Sequence, residues 1–557
     1  MLSPKDLQAL LDRQKREAEE ADAKRRAEHL KLPYLNLTST KVPMELKAMG
    51  IVPEERSRDA GLVPIQILRK KIVVAVFDPT APKARDLFEE LKKKYEVTEV
   101  VCSKSSMEFA WSFYKYVANQ MEDIAGKVEI DEINLATILE AVKSLENLKE
   151  MIEGFKGHRT SQLLEIVLGG AMALRASDIH LEPAEETGIF RLRIDGLLHT
   201  ASDKFPLAAY HSVITRIKLL SNLKLNITDQ AQDGRFTIDL KDRDIEIRTS
   251  LIPSEYGETS VMRLLDPNAL KVNLEELGWR PDDLAIVNRS LQEPNGLILN
   301  TGPTGSGKTT TLYAFLKHIL TSEIKIITVE DPIEYHIAGI SQTQVDTEAN
   351  YTFASGLRSI LRQDPDVILV GEIRDEETAD IAMNASLTGH MVFSTLHTND
   401  AVGAIPRLLD LGAKPQTLAP ALTLVIAQRL VRRLCGNCKK QKTVSPEERK
   451  RFESFLASLP ERVERSSYKA FSLFEPVGCS VCGNLGYKGR TSIFELFSVS
   501  EKIEETIYQN PNEIQMKKLA DEQGMTTMQS DGILKVLAGI TTFEEIEEVT
   551  GPIVWKK

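Results

Sequence analysis

Leu297-Ile298-Leu299, then Gly302-Pro303-Thr304-Gly305-Ser306-Gly307-Lys308-Thr309 and on through Thr310, is the stretch that decides the fold. The glycine-rich part fits G-x-x-x-x-G-K-[ST] at every fixed position. A short apolar run precedes it, and Thr310 to Ile319 reads as a helix, so the pattern is strand, loop, helix. Such a loop curls its backbone N–H groups toward an anion at a helix N-terminus, where the dipole favours negative charge. The implied ligand is a nucleoside triphosphate held by residues 302–310. Lys308 reaches the β/γ-phosphates and the Thr309 hydroxyl ligates Mg2+.

Three further apolar runs each end in a polar cluster. Ile324 to Val329 leads into Glu330-Asp331-Pro332-Ile333-Glu334, Val367 to Val370 into Gly371-Glu372-Ile373-Arg374-Asp375, and Met391 to Ser394 into Thr395-Leu396-His397-Thr398-Asn399. Runs without alternation mark strands buried on both faces of a parallel sheet. Ligands sit beyond the carboxyl ends of such strands, so the clusters are expected on the edge that carries Lys308. Phosphoryl transfer asks for a metal, a carboxylate that orients or deprotonates water, and a cation. Glu372 stands where a Walker B acid belongs, for the metal shell through water or as the base. Glu330, Asp331 and Glu334 compete for positioning water, and the sequence does not rank them. His397 can donate a hydrogen bond and suits sensing of the γ-phosphate.

With 557 residues, 42% hydrophobic and 27% charged, the chain is long enough for several domains. A net charge of −11 argues against a protein built chiefly to grip nucleic acid. No run is long and apolar enough to span a bilayer, and the start lacks a signal-peptide core, so a cytoplasmic location is expected. Residues 1–30 read as a helical arm, capped by Ser3 and with Leu7, Leu10 and Leu11 as a short apolar stripe; its charged part, 15–28, reads as solvated or mobile. Residues 31–118 alternate short strands and helices, an α/β or α+β domain of its own, in which Cys102 reads as a plain buried thiol. Residues 119–157 read as a helical linker and 158–270 as a second α/β domain. There, on spacing alone, Arg248 and Arg263 read as surface arginines paired with nearby carboxylates. Residues 271–557 form the nucleotide domain, whose last part, 497–557, is helical and without chemistry. Cys435-Gly436-Asn437-Cys438 and Cys479-Ser480-Val481-Cys482 are paired knuckles about 40 residues apart within an insert at 430–490. Four thiolates so arranged point to a structural Zn2+ site.

These residues together resemble the secretion ATPases that drive type II secretion and type IV pilus assembly, over about residues 30 to 550. The boxes that carry the likeness are Gly302 to Thr309, Ile327 to Glu334, Leu369 to Asp375 and Ser394 to Asp400, with Ala176-Ser177-Asp178-Ile179-His180, Gln232-Asp233-Gly234-Arg235 and Gly257 to Leu265. The resemblance implies a RecA-like P-loop ATPase domain with two N-terminal α/β (α+β) domains, a tetracysteine zinc insert and a helical C-terminal part. It turns Arg248 and Arg263 into arginine fingers that reach the γ-phosphate when domains close, and gives Arg358, Arg362 and Arg374 to subunit contacts or the nucleotide edge. It implies ATP and Mg2+, and a homo-oligomeric ring, a hexamer, at the inner face of the cytoplasmic membrane. Its partners would be a membrane platform protein and a cytoplasmic adaptor docked on the first domain. The expected function is ATP-driven pilus assembly. Type II secretion is the alternative, and a nucleotide-binding regulator or a nucleic-acid translocase stands further off; no direct nucleic-acid partner is expected. Some members bind cyclic di-GMP through an Arg-Leu-Gly-x-x-Leu run at the N-terminus; Leu2 to Gln8 has no such run, which counts against that ligand.

Overall fold

The computed structural model describes residues 4–38, 42–117, 127–128, 132–155, 160–240, 243–268 and 272–555, the side chains at the very start excepted. Ser3, the side chains of Leu7, Leu10 and Leu11, and residues 119–126, 129–131 and 156–157 of the linker lie outside the described residues. The chain divides into two units, one ending at Leu264 and one beginning at Leu265.

In the first unit, Leu62–Leu68 pairs antiparallel with Lys71–Val76, which pairs parallel with Glu96–Val101. Side chains alternate across a strand, and the burial follows. Ile72, Val74 and Val76 pack on Leu87, Phe88 and Leu91 of helix Pro82–Lys92, whereas Val63, Ile65 and Ala75 share a core with Met107 and Ala110 of Lys104–Trp111. Cys102 is buried in that second core, and desolvation raises its thiol pKa well above the ordinary range. The N-terminal helix, Pro4–Leu30, differs from the solvated arm expected of so charged a segment. Ala23 and Ala27 are buried, and Glu20 accepts hydrogen bonds from Tyr34 Oη at 2.5 Å, Ser103 Oγ at 2.6 Å and Ser106 Oγ at 2.9 Å. The helix docks through carboxylate-to-hydroxyl bonds at the N-terminus of Lys104–Trp111, where its dipole favours an anion. An apolar stripe is not needed for that.

The larger sheet of this unit runs in the order Lys127–Val128, Gln232–Leu240, Arg243–Ser254, Gly257–Leu265, Ala176–Pro183, Thr187–Ile194, Leu197–Pro206. The last strand was not legible in the sequence. Asp195 and Gly196 both take left-handed backbone, φ 48° and 93°, the geometry of a two-residue hairpin, and the strand that follows is too polar to show a period. Lys218 and Glu258 form a buried ion pair at 2.5 Å behind this sheet.

The second unit is built on seven strands in the order Ser341–Gln344, Ile326–Glu330, Val367–Val370, Met391–Leu396, Gly296–Thr301, Leu422–Leu434, Tyr487–Ser498. Neighbours are parallel except the last pair. The central strands are buried on both faces: Leu297 and Leu299 look into one core, and Ile298 looks into the other with Phe315. Leu434 and Tyr487 face each other across the antiparallel pair, and the chain between them forms the insert. Within it, Lys440–Lys442 pairs with Leu473–Glu475, and helix Pro446–Ser458 starts in a capping box of Ser445 and Glu448. Its Phe452 packs on Phe471, Phe543 and Trp555, so the helices after Ser500 close over the insert. A buried charge cluster ties the unit's beginning to its end. Arg280 binds Asp283 at 2.7 Å and Asp531 at 2.9 Å, Lys535 binds Asp531 at 2.5 Å, and Arg462 reaches Asp283 at 2.9 Å. Three cations and their aspartates, Asp282 included, compensate one another there, as buried charges must.

Candidate active site

Strand Gly296–Thr301 delivers the loop, and helix Lys308–Ile319 follows it. Gly305 and Gly307 take φ 78° and 91°. A Cβ on Gly302 would stand 2.6 Å from Gln428 O and 2.7 Å from Ser306 Oγ, and one on Gly307 would stand 2.8 Å from Gln428 Nε2. Only glycine fits at either place. Ser306 is buried, and its hydroxyl has no hydrogen-bond partner among the described residues. Lys308 Nζ folds back to donate to Gly302 O at 2.8 Å and Pro303 O at 3.0 Å. Burial pushes its amine down to about 8, with Glu372 opposing the shift and Arg429 adding to it. A strained glycine cradle, an orphaned hydroxyl and a half-buried amine waiting over carbonyls suit a triphosphate. Thr309, exposed at the first turn, is where the motif sets a metal-binding hydroxyl.

Glu372 follows strand Val367–Val370, its side chain 13% exposed. Arg374 Nη2 is 2.5 Å from Glu372 Oε1, and His397 Nε2 is 3.6 Å from Glu372 Oε2. Both partners are open to solvent, and the three side chains line one cleft with Leu396 and Arg407. Thr398 N donates to Thr301 Oγ1 at 2.8 Å, which fixes the His397 loop beside the strand that carries the phosphate loop. Lys308, Glu372 and His397 thus gather at one end of the parallel sheet. Glu330 is placed differently. It is 3% exposed, and its carboxylate accepts from Thr328 Oγ1 at 2.5 Å, Gln342 Nε2 at 3.2 Å and the Tyr313 hydroxyl. Such a carboxylate braces helix Lys308–Ile319 through Tyr313, whereas Asp331 is exposed and Glu334 half-buried. Arg358 pairs with Glu377, and Arg362 donates to Arg358 O at 2.9 Å.

In the first unit, Arg263 Nε pairs with Asp178 Oδ1 at 2.9 Å, across registered strands, and Arg248 Nε pairs with Glu246 Oε1 at 3.1 Å. The carboxylate pairing expected from spacing is therefore present. Arg263 nevertheless keeps a side chain 54% exposed.

Sequence reasoning missed Gln428 and Arg429. Buried Gln428 accepts from Asn300 Nδ2 at 2.9 Å and Thr311 Oγ1 at 2.8 Å and donates to Ser492 Oγ at 3.0 Å, a polar bolt beneath the loop. Arg429 Nη2 donates to Asn399 O at 3.0 Å. The available signal was two polar residues inside the run Leu424 to Val431, since polar groups in a buried strand need a reason.

The four knuckle sulfurs lie within 4.8 Å of one another, with Cys435–Cys479 at 4.0 Å and Cys438–Cys482 and Cys479–Cys482 at 3.8 Å. A tetrahedron of thiolates at the Zn–S distance of about 2.3 Å has edges of about 3.8 Å. Amides of Gly478 and Gly486 point at Cys438 and Cys482 Sγ, both at 3.3 Å, and Asn437 Nδ2, with neighbouring amides, draws the Cys479 thiol down to about 6. The donor set fits Zn2+.

Among the described residues no helix is long and apolar enough to cross a membrane. Residues 157–548 match the family model described as type II/IV secretion system protein, and residues 30–113 match the MshEN domain. The chain is 36% identical over 523 residues to the type IV pilus assembly ATPase PilB of Myxococcus xanthus, covering 94% of this chain and 89% of that protein. It is 42% identical over 431 residues to the type II secretion system protein E of Pectobacterium carotovorum, covering 77% of this chain and 82% of that one. Among solved structures, the Yersinia pseudotuberculosis ATPase DotB aligns at TM-score 0.52 and 20% identity, over 71% of this chain and 94% of that one, a likeness of fold alone. One family model thus spans the phosphate loop, the Glu372 and His397 clusters and the cysteine insert together, and the chain belongs to the type II/IV secretion system protein family, the secretion ATPases its sequence resembles.

Proposed function

We propose that this chain hydrolyses ATP and spends the free energy on assembling a type IV pilus. The observation that carries the hydrolytic reading is Glu372, held between Arg374 and His397 at the sheet end where Lys308 waits. Lys308 leaves Gly302 O and Pro303 O for the β/γ-phosphates. The Thr309 hydroxyl and, through water, Glu372 would hold Mg2+, which would supply charge neutralisation at the terminal phosphates. Glu372 accepts the proton of the attacking water, and His397, against its other oxygen, contacts the γ-phosphate. Glu330 keeps helix Lys308–Ile319 in place, and Glu334 orients water from the neighbouring strand end. Arg248 and Arg263 supply the cation on domain closure, within a homo-oligomeric ring, a hexamer. The first N-terminal domain docks an adaptor, and the ring works on a platform protein at the cytoplasmic face of the inner membrane. Cys435, Cys438, Cys479 and Cys482 hold Zn2+.

Pilus assembly is favoured because the pilus relative aligns over the N-terminal region as well, 94% of the chain against 77% for the secretion relative. Higher identity to the latter supports the second reading, a type II secretion ATPase. Glu372→Gln is expected to lower kcat by about 10^2 or more with ATP binding retained. Steady-state turnover with an ATP-binding measurement checks it; wild-type turnover refutes the role. In the source organism, loss of surface fibres on deletion separates pilus assembly from loss of exported proteins.

A further inference from the structure

Each of the four residues after His397 is held by a different element. Thr398 N donates to Thr301 Oγ1 at 2.8 Å, and Asn399 O accepts from Arg429 at 3.0 Å. Asp400 Oδ2 pairs with Lys517 Nζ at 3.2 Å, and Ala401 N donates to Glu495 Oε1 at 2.9 Å. The first two tethers come from strands beside the phosphate loop. The last two come from beyond the cysteine insert, Glu495 from strand Tyr487–Ser498 and Lys517 from the helical part read as without chemistry.

Glu495 lies on strand Tyr487–Ser498, 5% exposed. Its other oxygen, Oε2, accepts from Met528 N at 3.2 Å, the first residue of helix Met528–Leu537. One buried carboxylate therefore spans from the His397 loop to an otherwise unpaired amide at a helix start. Packing alone would be served better by an aliphatic side chain, because a buried carboxylate is costly unless hydrogen-bonded. Burial does push its pKa up, and the two amides work against that.

We propose that Glu495 is a positioning residue for hydrolysis. It locks the His397 loop to the C-terminal helices so that the imidazole stands against Glu372, and Lys517 repeats the lock at Asp400. This rests on His397 contacting the γ-phosphate, as read above.

The test is a double-mutant cycle on the full-length protein. Glu495→Gln keeps the shape but turns one acceptor into a donor that faces an N–H group. It should lower kcat about five- to fiftyfold, leave the KM for ATP within about twofold, and add no loss in a His397→Ala background. Wild-type kcat in Glu495→Gln, or losses that multiply in the double variant, would overturn the proposal. Wild-type kcat in His397→Ala overturns instead the reading it rests on, whatever Glu495 does. Should Glu495→Gln not fold, Lys517→Met, at an exposed pair, decides: a kcat loss of about two- to fivefold that vanishes in the His397→Ala background supports the coupling, and unchanged kcat overturns it.

Discussion

At the scale of single residues, the phosphate-loop lysine carries a pH signature. Desolvation holds the Lys308 amine near 8 in the nucleotide-free protein, against an ordinary 10.5. Folding favours the neutral amine there, so its burial costs stability below about pH 8 and the cost fades as pH rises toward 10.5. Triphosphate binding demands the charged form, so it takes up a proton above about pH 8. ATP affinity should be flat up to that point and then weaken toward tenfold per pH unit, measured by equilibrium titration between pH 7 and 9.5. Lys308→Arg should remove the alkaline weakening, because a guanidinium stays charged throughout. Residues of this kind were legible in the sequence because their spacing is local: glycine, lysine and hydroxyl follow one another along the chain. Glu372 was legible as the acid after an apolar run. Glu330 has the same signature, and only tertiary packing against Tyr313 and Gln342 distinguishes the two. Gln428 and Arg429 escaped notice because their role depends on which strand lies next to the phosphate loop, and pairing order is not written in any one segment.

Among the elements, the cysteine insert makes the sharpest claim. Its sulfurs already stand at thiolate–metal spacing where the chain leaves and rejoins the paired strands at Leu434 and Tyr487. Purified without chelator, the protein should carry about one equivalent of zinc, and Cys438→Ser should lose it and unfold at a lower temperature. Elemental analysis and thermal unfolding check both; full zinc occupancy in Cys438→Ser counts against the four-sulfur site. The knuckles were readable from Cys-x2-Cys spacing alone. The strands on either side were not, since Leu422 to Val431 is an apolar run that, without its neighbour, serves a helix as well as a strand. The same limit hid Leu197–Pro206, and a charged composition concealed how closely Pro4–Leu30 docks on its domain through Glu20.

For the molecule as a whole, the proposed mechanism adds a second cation, from the first unit, to the Lys308 of the phosphate loop. Arg263 is engaged with Asp178 in the first unit and would have to exchange that carboxylate for phosphate. Arg263→Ala should lower kcat by about 10^3 at saturating ATP while the nucleotide affinity of the isolated binding step changes little. Arg263→Lys should restore little of it, because a single ammonium does not reproduce the planar fork. Turnover at the wild-type rate in Arg263→Ala removes the residue from the finger role. The α/β character of both units followed from motif order, whereas the boundary at Leu264 falls inside a single family match over residues 157–548.

The facing of Leu434 and Tyr487 also bounds what can be removed between them. Because the two strands are registered before the chain departs, a four-residue turn in place of the excursion would change closure entropy by only roughly 2 kcal/mol, but it would also remove Phe452 from beneath Phe543 and Trp555 and Arg462 from the buried aspartates. Excision of the excursion is therefore expected to uncover the C-terminal helices and strand buried aspartates while the strand register itself survives.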